Sequence, residues 1–347
     1  MSIRHHARAT LATTMLLGLP ALALAQTNVT VYGIVDASVR RADNAGPDGQ
    51  SVTSLNDGVY VGSRFGLRGS EDLGGGMKAV FTLENGFDPS SGALGNASSS
   101  AGNGNSAAAG GRLFGREASV GLDTPLGLVT LGRQYTLAHP LSGRFQPQPN
   151  PNLDAISMFS THHVARQDNM ARYYKQFGPV GVYASYTFNE GNGRGRGVGA
   201  SYTAGPLDLT AYYQEVNNAG DTVTRGIAGL GGSWLFTKDF KAFLGYMKRN
   251  DRGTGPQQEN DVVSIGANYN LTPTLVLTAN YAQDRQSDVN AGKRKMGYVG
   301  LDYLFSKRTD LYAEVDNNRL SGAYPLPRFM GTRDSATSVS VGLRHRF

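Results

Sequence analysis

The 347-residue sequence has no cysteine and one tryptophan. Without cysteine, no disulfide holds the chain together. After residue 25 nothing approaches a run of about 18 apolar residues, so no helical membrane anchor is expected. Hydrophobic residues make up only 39% of the chain and mean hydropathy is -0.32, values that resemble a water-soluble protein. The same values fit a strand-built membrane wall, in which polar residues on one face dilute apolar residues on the other. Enzyme signatures are also missing. Gly74-Gly75-Gly76-Met77-Lys78 lacks the spacing of a phosphate loop and is followed by a strand pattern. Gly229 to Gly232 is likewise within a strand. His162-His163 comes without a HExxH motif or matching carboxylates, so no metal site is expected. No nucleophile motif accompanies the many Ser and Asn residues. Neither a cofactor nor catalysis is expected. Gly193-Arg194-Gly195-Arg196-Gly197 has the look of an RNA-binding repeat, but one copy reads as a loop entering a strand. No linker divides the roughly 320 residues after position 25, so 26–347 is expected to be one domain.

Residues 1–25 read as a cleaved secretory signal peptide. Arg4 and Arg8 form a basic start, Leu11 to Leu19 a short apolar run, and Ala21-Leu22-Ala23-Leu24-Ala25 an A-x-A site before Gln26. Removing Arg4 and Arg8 takes the formal charge of +6 to +4.

What is present is alternation. In the last strand, Ser335 to Phe347, Val339, Val341, Leu343, His345 and Phe347 share one face. Ser338, Ser340, Gly342, Arg344 and Arg346 share the other. In water an apolar final strand would be an exposed, aggregating edge; in a membrane barrel it closes the sheet with its apolar face in lipid. The chain opens the same way over Asn28 to Arg40, followed by a polar loop, Arg41 to Asn56. The next strand places Val59, Val61, Phe65 and Leu67 opposite Tyr60, Arg64, Arg68 and Ser70. A Gly-rich turn, Glu71 to Gly76, leads to Met77, Ala79, Phe81 and Leu83 on one face. Residues 89–111 are low in complexity and read as a long loop.

Tight-turn candidates recur at Gly74-Gly75, Pro125-Leu126-Gly127, Gly178-Pro179, Gly205-Pro206, Lys238-Asp239, Thr272-Pro273 and Lys307-Arg308. From Gly178 onward they lie 27, 33, 34 and 35 residues apart by subtraction, and polar segments fall midway. That interval fits two strands of about 10 residues and one longer loop. The two earlier intervals, 51 and 53 residues, leave room for longer loops of the kind that carry function. The count gives sixteen antiparallel strands, enough to leave an aqueous channel. The face with Phe243, Gly245 and Met247 is poorly polar for a lumen. Tyr173, Tyr174, Tyr246, Tyr281 and Tyr324 are candidates for aromatic girdles.

Several stretches resemble the general porins of Gram-negative outer membranes, in particular the beta-proteobacterial branch. They are Val29-Thr30-Val31-Tyr32-Gly33, Ser63 to Gly74, Phe81 to Phe87, Leu113-Phe114-Gly115-Arg116, Leu131-Gly132-Arg133-Gln134-Tyr135 and Arg344-His345-Arg346-Phe347. The resemblance runs from end to end of the mature chain and is densest before residue 136. It implies a homotrimer of sixteen-stranded all-β barrels. The third loop would fold into each lumen, here about 136–166, stiffened by Pro140, Pro147, Pro149 and Pro151. The second loop, about 89–111, would latch over a neighbouring subunit. The resemblance also implies a row of wall arginines facing acidic groups on the inserted loop. Arg64 matches that row by motif and by alternation, and Arg68 shares its face on the lumen wall. Arg116 and Arg133 match by motif, and Arg166 by lying where the loop re-enters the wall. Arg116 and Arg133 share faces with apolar residues, as strands at a trimer contact could. Asp154 is the loop's one carboxylate before Asp168.

The expected function is passive diffusion of small hydrophilic solutes and ions, with preference for anions because several arginines oppose one acid. The alternatives are a pore specific for phosphate, sugar or carboxylate, a barrel enzyme, and a soluble exported β-protein. The expected surroundings are outer-membrane lipid and lipopolysaccharide. The pI of 9.4 reflects charge in a channel rather than a nucleic-acid partner.

Overall fold

The computed structural model describes residues 28–347 except 96–110, 148–151, 191–192, 256, 289 and 328. The expected signal peptide and most of the expected latch loop lie outside the described residues. The strands are β1 (Asn28–Ala42), β2 (Val52–Asp57), β3 (Arg64–Gly74), β4 (Met77–Gly86), β5 (Glu117–Thr124) and β6 (Gly127–Tyr135). After two short helices, α1 (Ala138–Gly143) and α2 (Leu153–Ser160), come β7 (Arg166–Phe177), β8 (Val180–Thr187), β9 (Gly195–Ala204) and β10 (Leu207–Asn217). The series ends with β11 (Val223–Leu235), β12 (Phe240–Gly253), β13 (Gln258–Thr272), β14 (Leu275–Asp288), β15 (Gly292–Leu304), β16 (Thr309–Gly322) and β17 (Ser335–Arg346).

Each strand pairs antiparallel with its neighbours, and β1 pairs with β17 from Ile34↔Arg346 to Ala42↔Ser338, so the sheet closes. Seventeen segments fill sixteen wall positions. One end of β1 pairs with β3 (Asn28↔Ser70 to Ile34↔Arg64) and the other with β2 (Ala37↔Asp57 to Ala42↔Val52). The fold is a sixteen-stranded antiparallel all-β barrel. At the first tight turn Gly74, Gly75 and Gly76 all have positive φ, between 62° and 79°. That conformation costs glycine nothing and other residues a steric clash.

Burial is reversed relative to a soluble protein. On β17 the apolar Val339, Val341 and Leu343 are each about half exposed, whereas Ser338, Ser340 and Arg344 are buried. The apolar face points outward on strand after strand and the polar face points in. Such a wall is stable only where lipid covers the outside.

The lumen is partly filled. Leu137, Ala138, Leu141, Phe145, Ala155, Met158 and Phe159, from the inserted loop, form a buried apolar cluster with wall residues Tyr212, Ile227, Met247, Val262, Ala282, Met296 and Tyr298. The weakly polar inner face of β12 is therefore a docking surface for the loop. Glycines make room for it. A Cβ on Gly245 would lie 2.1 Å, and one on Gly231 2.5 Å, from the Phe145 ring.

The strand expected to begin near Val59 instead begins at Arg64. Residues 58–63 leave the wall and lie as a strap over the inner faces of β1 and β15 to β17, so Val59 and Val61 are not on the lipid face. Asp36 accepts from Val61 N (3.0 Å) and from the Tyr312 hydroxyl (2.7 Å), which itself accepts from Val59 N (3.0 Å). Tyr60, fully buried, stacks on Tyr312 at 4.0 Å. These tertiary bonds outweigh the alternation that would otherwise continue the strand. The strap in turn anchors α2, because Leu153 N donates to the Val59 carbonyl at 2.9 Å. Of the girdle candidates, Tyr246 and Tyr281 are exposed on the outer face. Tyr324 turns inward to donate to Asp284 at 2.5 Å, and Tyr174 packs on Tyr183 beside the lumen core.

Candidate functional site

With α1 and α2 docked on β9 to β15, open space remains against the opposite wall. A cavity of about 560 Å³ there is lined by Arg64, Arg116 and Arg166 from the wall and by Pro140, Ser142, Gln146, Ile156 and Ser160 from the loop. Tyr60 and Val61 of the strap complete it. Among the described residues, no carboxylate lines it.

Tyr135, the last residue of β6, holds two of the arginines. Its hydroxyl accepts from Arg116 Nη2 at 2.7 Å and also from Arg166, whose guanidinium lies 4.1 Å from the ring centroid. Arg166 Nε donates to the Arg116 carbonyl at 3.0 Å. Arg116 Nε donates to Glu84 at 2.6 Å, and Glu84 also accepts from the Tyr32 hydroxyl at 2.9 Å. Arg64 Nε donates to the Gly62 carbonyl at 3.2 Å. Among the described residues, neither Arg64 nor Arg166 has a carboxylate within ion-pair distance, so the cavity carries uncompensated positive charge. Arg68 lies on the same face of β3, 5.2 Å from the Tyr32 ring centroid.

The loop histidines register this field. His139 stacks parallel to Tyr135 at 4.6 Å and its Nδ1 lies 3.2 Å from His163 Nε2. Burial, reinforced by Arg166, Arg116 and Arg64, lowers its pKa to about 3. Burial also lowers His163 and His162. His162 Nε2 lies 2.6 Å from Asp284 and its Nδ1 lies 3.4 Å from Arg249 Nη1. Arg249 can only donate, which fixes the proton of a neutral imidazole on Nε2, facing the carboxylate.

A wall that is apolar outside and polar and charged inside, narrowed by an inserted loop, is the anatomy of an aqueous membrane channel. The model of the Gram-negative porin family matches residues 12–323. The chain belongs to that family. It is 31% identical to an outer membrane porin protein of Bordetella pertussis, across 97% of this chain and 99% of that one. It is 29% identical to outer membrane porin protein 32 of Delftia acidovorans, across 94% and 95%. Among solved structures, the anion-selective porin from Comamonas acidovorans matches with a TM-score of 0.74 at 25% identity, covering 93% of this chain and 100% of that one. The chain is an outer-membrane, non-enzymatic porin.

The porin brings Arg64, Arg116 and Arg166 together and sets Arg133 and Asp154 apart. Arg133 Nη1 pairs with Asp168 at 2.7 Å, Arg112 pairs with the same carboxylate at 3.0 Å, and Arg133 Nε donates to the Gly115 carbonyl. Asp154 lies beyond the seam between strap and α2. It pairs there with Arg40 at 3.1 Å, and Arg40 also pairs with Asp316. The loop therefore presents no acid to the arginines of the cavity.

Strict alternation misplaces Arg116 and Arg133 for local reasons. Arg116 sits on a bend ahead of β5, where alternation has not begun. Arg133 sits inside a β-bulge between Gly132 and Gln134, and Gly132 has φ of 128°. An extra residue there re-aims the side chains that follow. Tyr135, Glu84 and His139 were not singled out from sequence. Tyr135 lies within a porin-like stretch, and Glu84 shares the inner face of β4 with Thr82. Nothing local marks His139.

Proposed function

We propose that this porin is a general diffusion pore for small hydrophilic solutes and ions that prefers anions. The observation that carries the reading is the gathering of Arg64, Arg116 and Arg166 around the free part of the lumen, with one acid, Glu84, among their partners. A cluster of fixed positive charge in a narrow aqueous path attracts anions and repels cations. The match to an anion-selective porin supports the same direction. The reading further assigns the constriction to these three arginines and the loop 136–166, with Arg68 on the wall leading to it. Arg133 and Asp154 act on loop and wall geometry rather than on the permeating ion. The functional unit in this reading is a homotrimer, and the mature chain starts at Gln26.

Single-channel recording of the detergent-purified porin in a planar bilayer under a salt gradient tests it. Large ohmic steps that close in thirds at high voltage, with a reversal potential of anionic sign, are expected. A cationic sign overturns the preference, and closure in a single step overturns the trimer. Amino-terminal sequencing of the exported protein reads the cleavage site directly.

A further inference from the structure

The cavity at the arginines is charged on one side and apolar on the other. Selecting simple ions by charge uses only the first. Val61 of the strap and Pro140, Leu153 and Ile156 of the inserted loop line the second. Pro140 is exposed there and the other three are half-buried. On α2 the residues committed to the core are Ala155, Met158 and Phe159. Leu153 and Ile156, three residues apart, share another face of that helix and turn it toward the cavity. A solute that covers this surface removes it from water, which favours its binding.

The charged side offers an open fork. Arg64 Nε donates to the Gly62 carbonyl at 3.2 Å, and its two terminal nitrogens have no hydrogen-bond or ion-pair partner among the described residues. A guanidinium presented in this way matches the two oxygens of a carboxylate, which it holds by parallel, charge-assisted bonds. Chloride uses neither that geometry nor the apolar side. Space is sufficient as well. A cavity of about 150 Å³ admits benzene, and this one, of about 560 Å³, has room for a ring together with water.

We propose that the cavity is a binding station for monocarboxylates with an apolar body. The carboxylate sits on the Arg64 fork beside Arg116 and Arg166, and the body lies against Val61, Pro140 and Ile156. The inference rests on the anion preference proposed above and names the class of solute that the same site retains longest. Such a solute dwells where chloride passes, so it slows the chloride current.

The test uses the intact porin in a planar bilayer in potassium chloride at neutral pH. Sodium benzoate, sodium acetate or uncharged benzamide is added, and the concentration that halves the current is read. Covering about 60 Å² of ring should give benzoate a half-blocking concentration about ten-fold below that of acetate. Benzamide, which has the ring without the charge, should block far more weakly than benzoate. Ile156→Ser should bring the two carboxylates to within about three-fold of each other. Arg64→Gln should raise both half-blocking concentrations about ten-fold. Benzoate and acetate blocking alike, with the reversal potential still anionic, overturns the inference and leaves the anion preference standing. A cationic reversal potential overturns both together. Benzamide blocking as strongly as benzoate, or an Arg64→Gln channel in which benzoate block is unaltered, overturns the carboxylate site as well.

Discussion

Replacing Arg64 and Arg166 together by glutamine removes the two cavity guanidiniums that have no ion-pair partner among the described residues and keeps polar side chains in place. A unit charge about 5 Å from a passing ion in water contributes about 0.8 kcal/mol. Screening with a Debye length of about 10 Å, at about 0.1 M salt, reduces this to about 0.5 kcal/mol. What an anion gains a cation loses, so each guanidinium discriminates by about 1 kcal/mol, about five-fold in permeability ratio. The double variant should therefore lower the anion-to-cation ratio about 25-fold in dilute salt. At about 1 M salt, where the Debye length is about 3 Å, the same change should shrink to about three-fold. The reversal potential across a potassium chloride gradient, recorded at both ionic strengths, measures it. Arg133→Gln is the internal comparison, since that side chain is tied to Asp168 and does not line the cavity, and its shift should be much smaller. An unchanged reversal potential in a folded double variant at low salt would refute the electrostatic account of the site.

Four further outcomes follow from the packing. Gly245→Ala drives a methyl group into the Phe145 ring at a cost of about 1–3 kcal/mol; the loop should loosen, seen as greater open-channel noise, and a quiet channel of unaltered conductance would count against docking at this wall. Tyr60→Ala removes a buried ring worth about 3–5 kcal/mol. The strap and α2 should release and conductance rise while the barrel stays resistant to detergent, whereas loss of the barrel itself would show that the strap is part of the wall. Arg344→Met removes a buried cation that pairs with Asp302 and Asp310 and leaves Arg346 to hold Asp310, at about 3–5 kcal/mol; the temperature of heat modification on detergent gels should fall, and an unchanged temperature would refute this. Because the docked loop holds His139 neutral down to about pH 3, while a released loop takes up that proton below about pH 6.5, docking should weaken as pH falls between those values. The slope is about 1.4 kcal/mol per pH unit for a histidine of this kind, so proteolysis within residues 136–166 should speed up by pH 4.5, and a flat profile from pH 6.5 to 4 would contradict it.

Period-two patterning and turn spacing were sufficient for the wall. Val339, Val341 and Leu343 had to share a face whatever the rest of the chain did, and tight turns at regular intervals fixed sixteen positions. Direction along a strand depends only on nearest neighbours, which is why Arg64 and Arg68 could be placed from sequence. The same logic failed where the backbone departs from a strand, at the bend before Glu117, at the bulge beside Gly132 and in the strap around Tyr60. The inner contents of the barrel lay beyond it altogether. The poorly polar inner face of Phe243, Gly245 and Met247 was visible in sequence, but that a segment docks there, and which one, depends on contacts as much as a hundred residues apart, such as Phe145 against Gly245. Asp154 shows the limit most sharply. The composition of the loop names it as the acid to face the arginines. Long-range contacts of its segment, among them the Leu153–Val59 backbone hydrogen bond and the Asn152–Glu314 pair, place it on the far side with Arg40. Sequence alone determined the wall, through local geometry; tertiary structure decided the pore, because long-range packing chooses which side chains meet across the lumen.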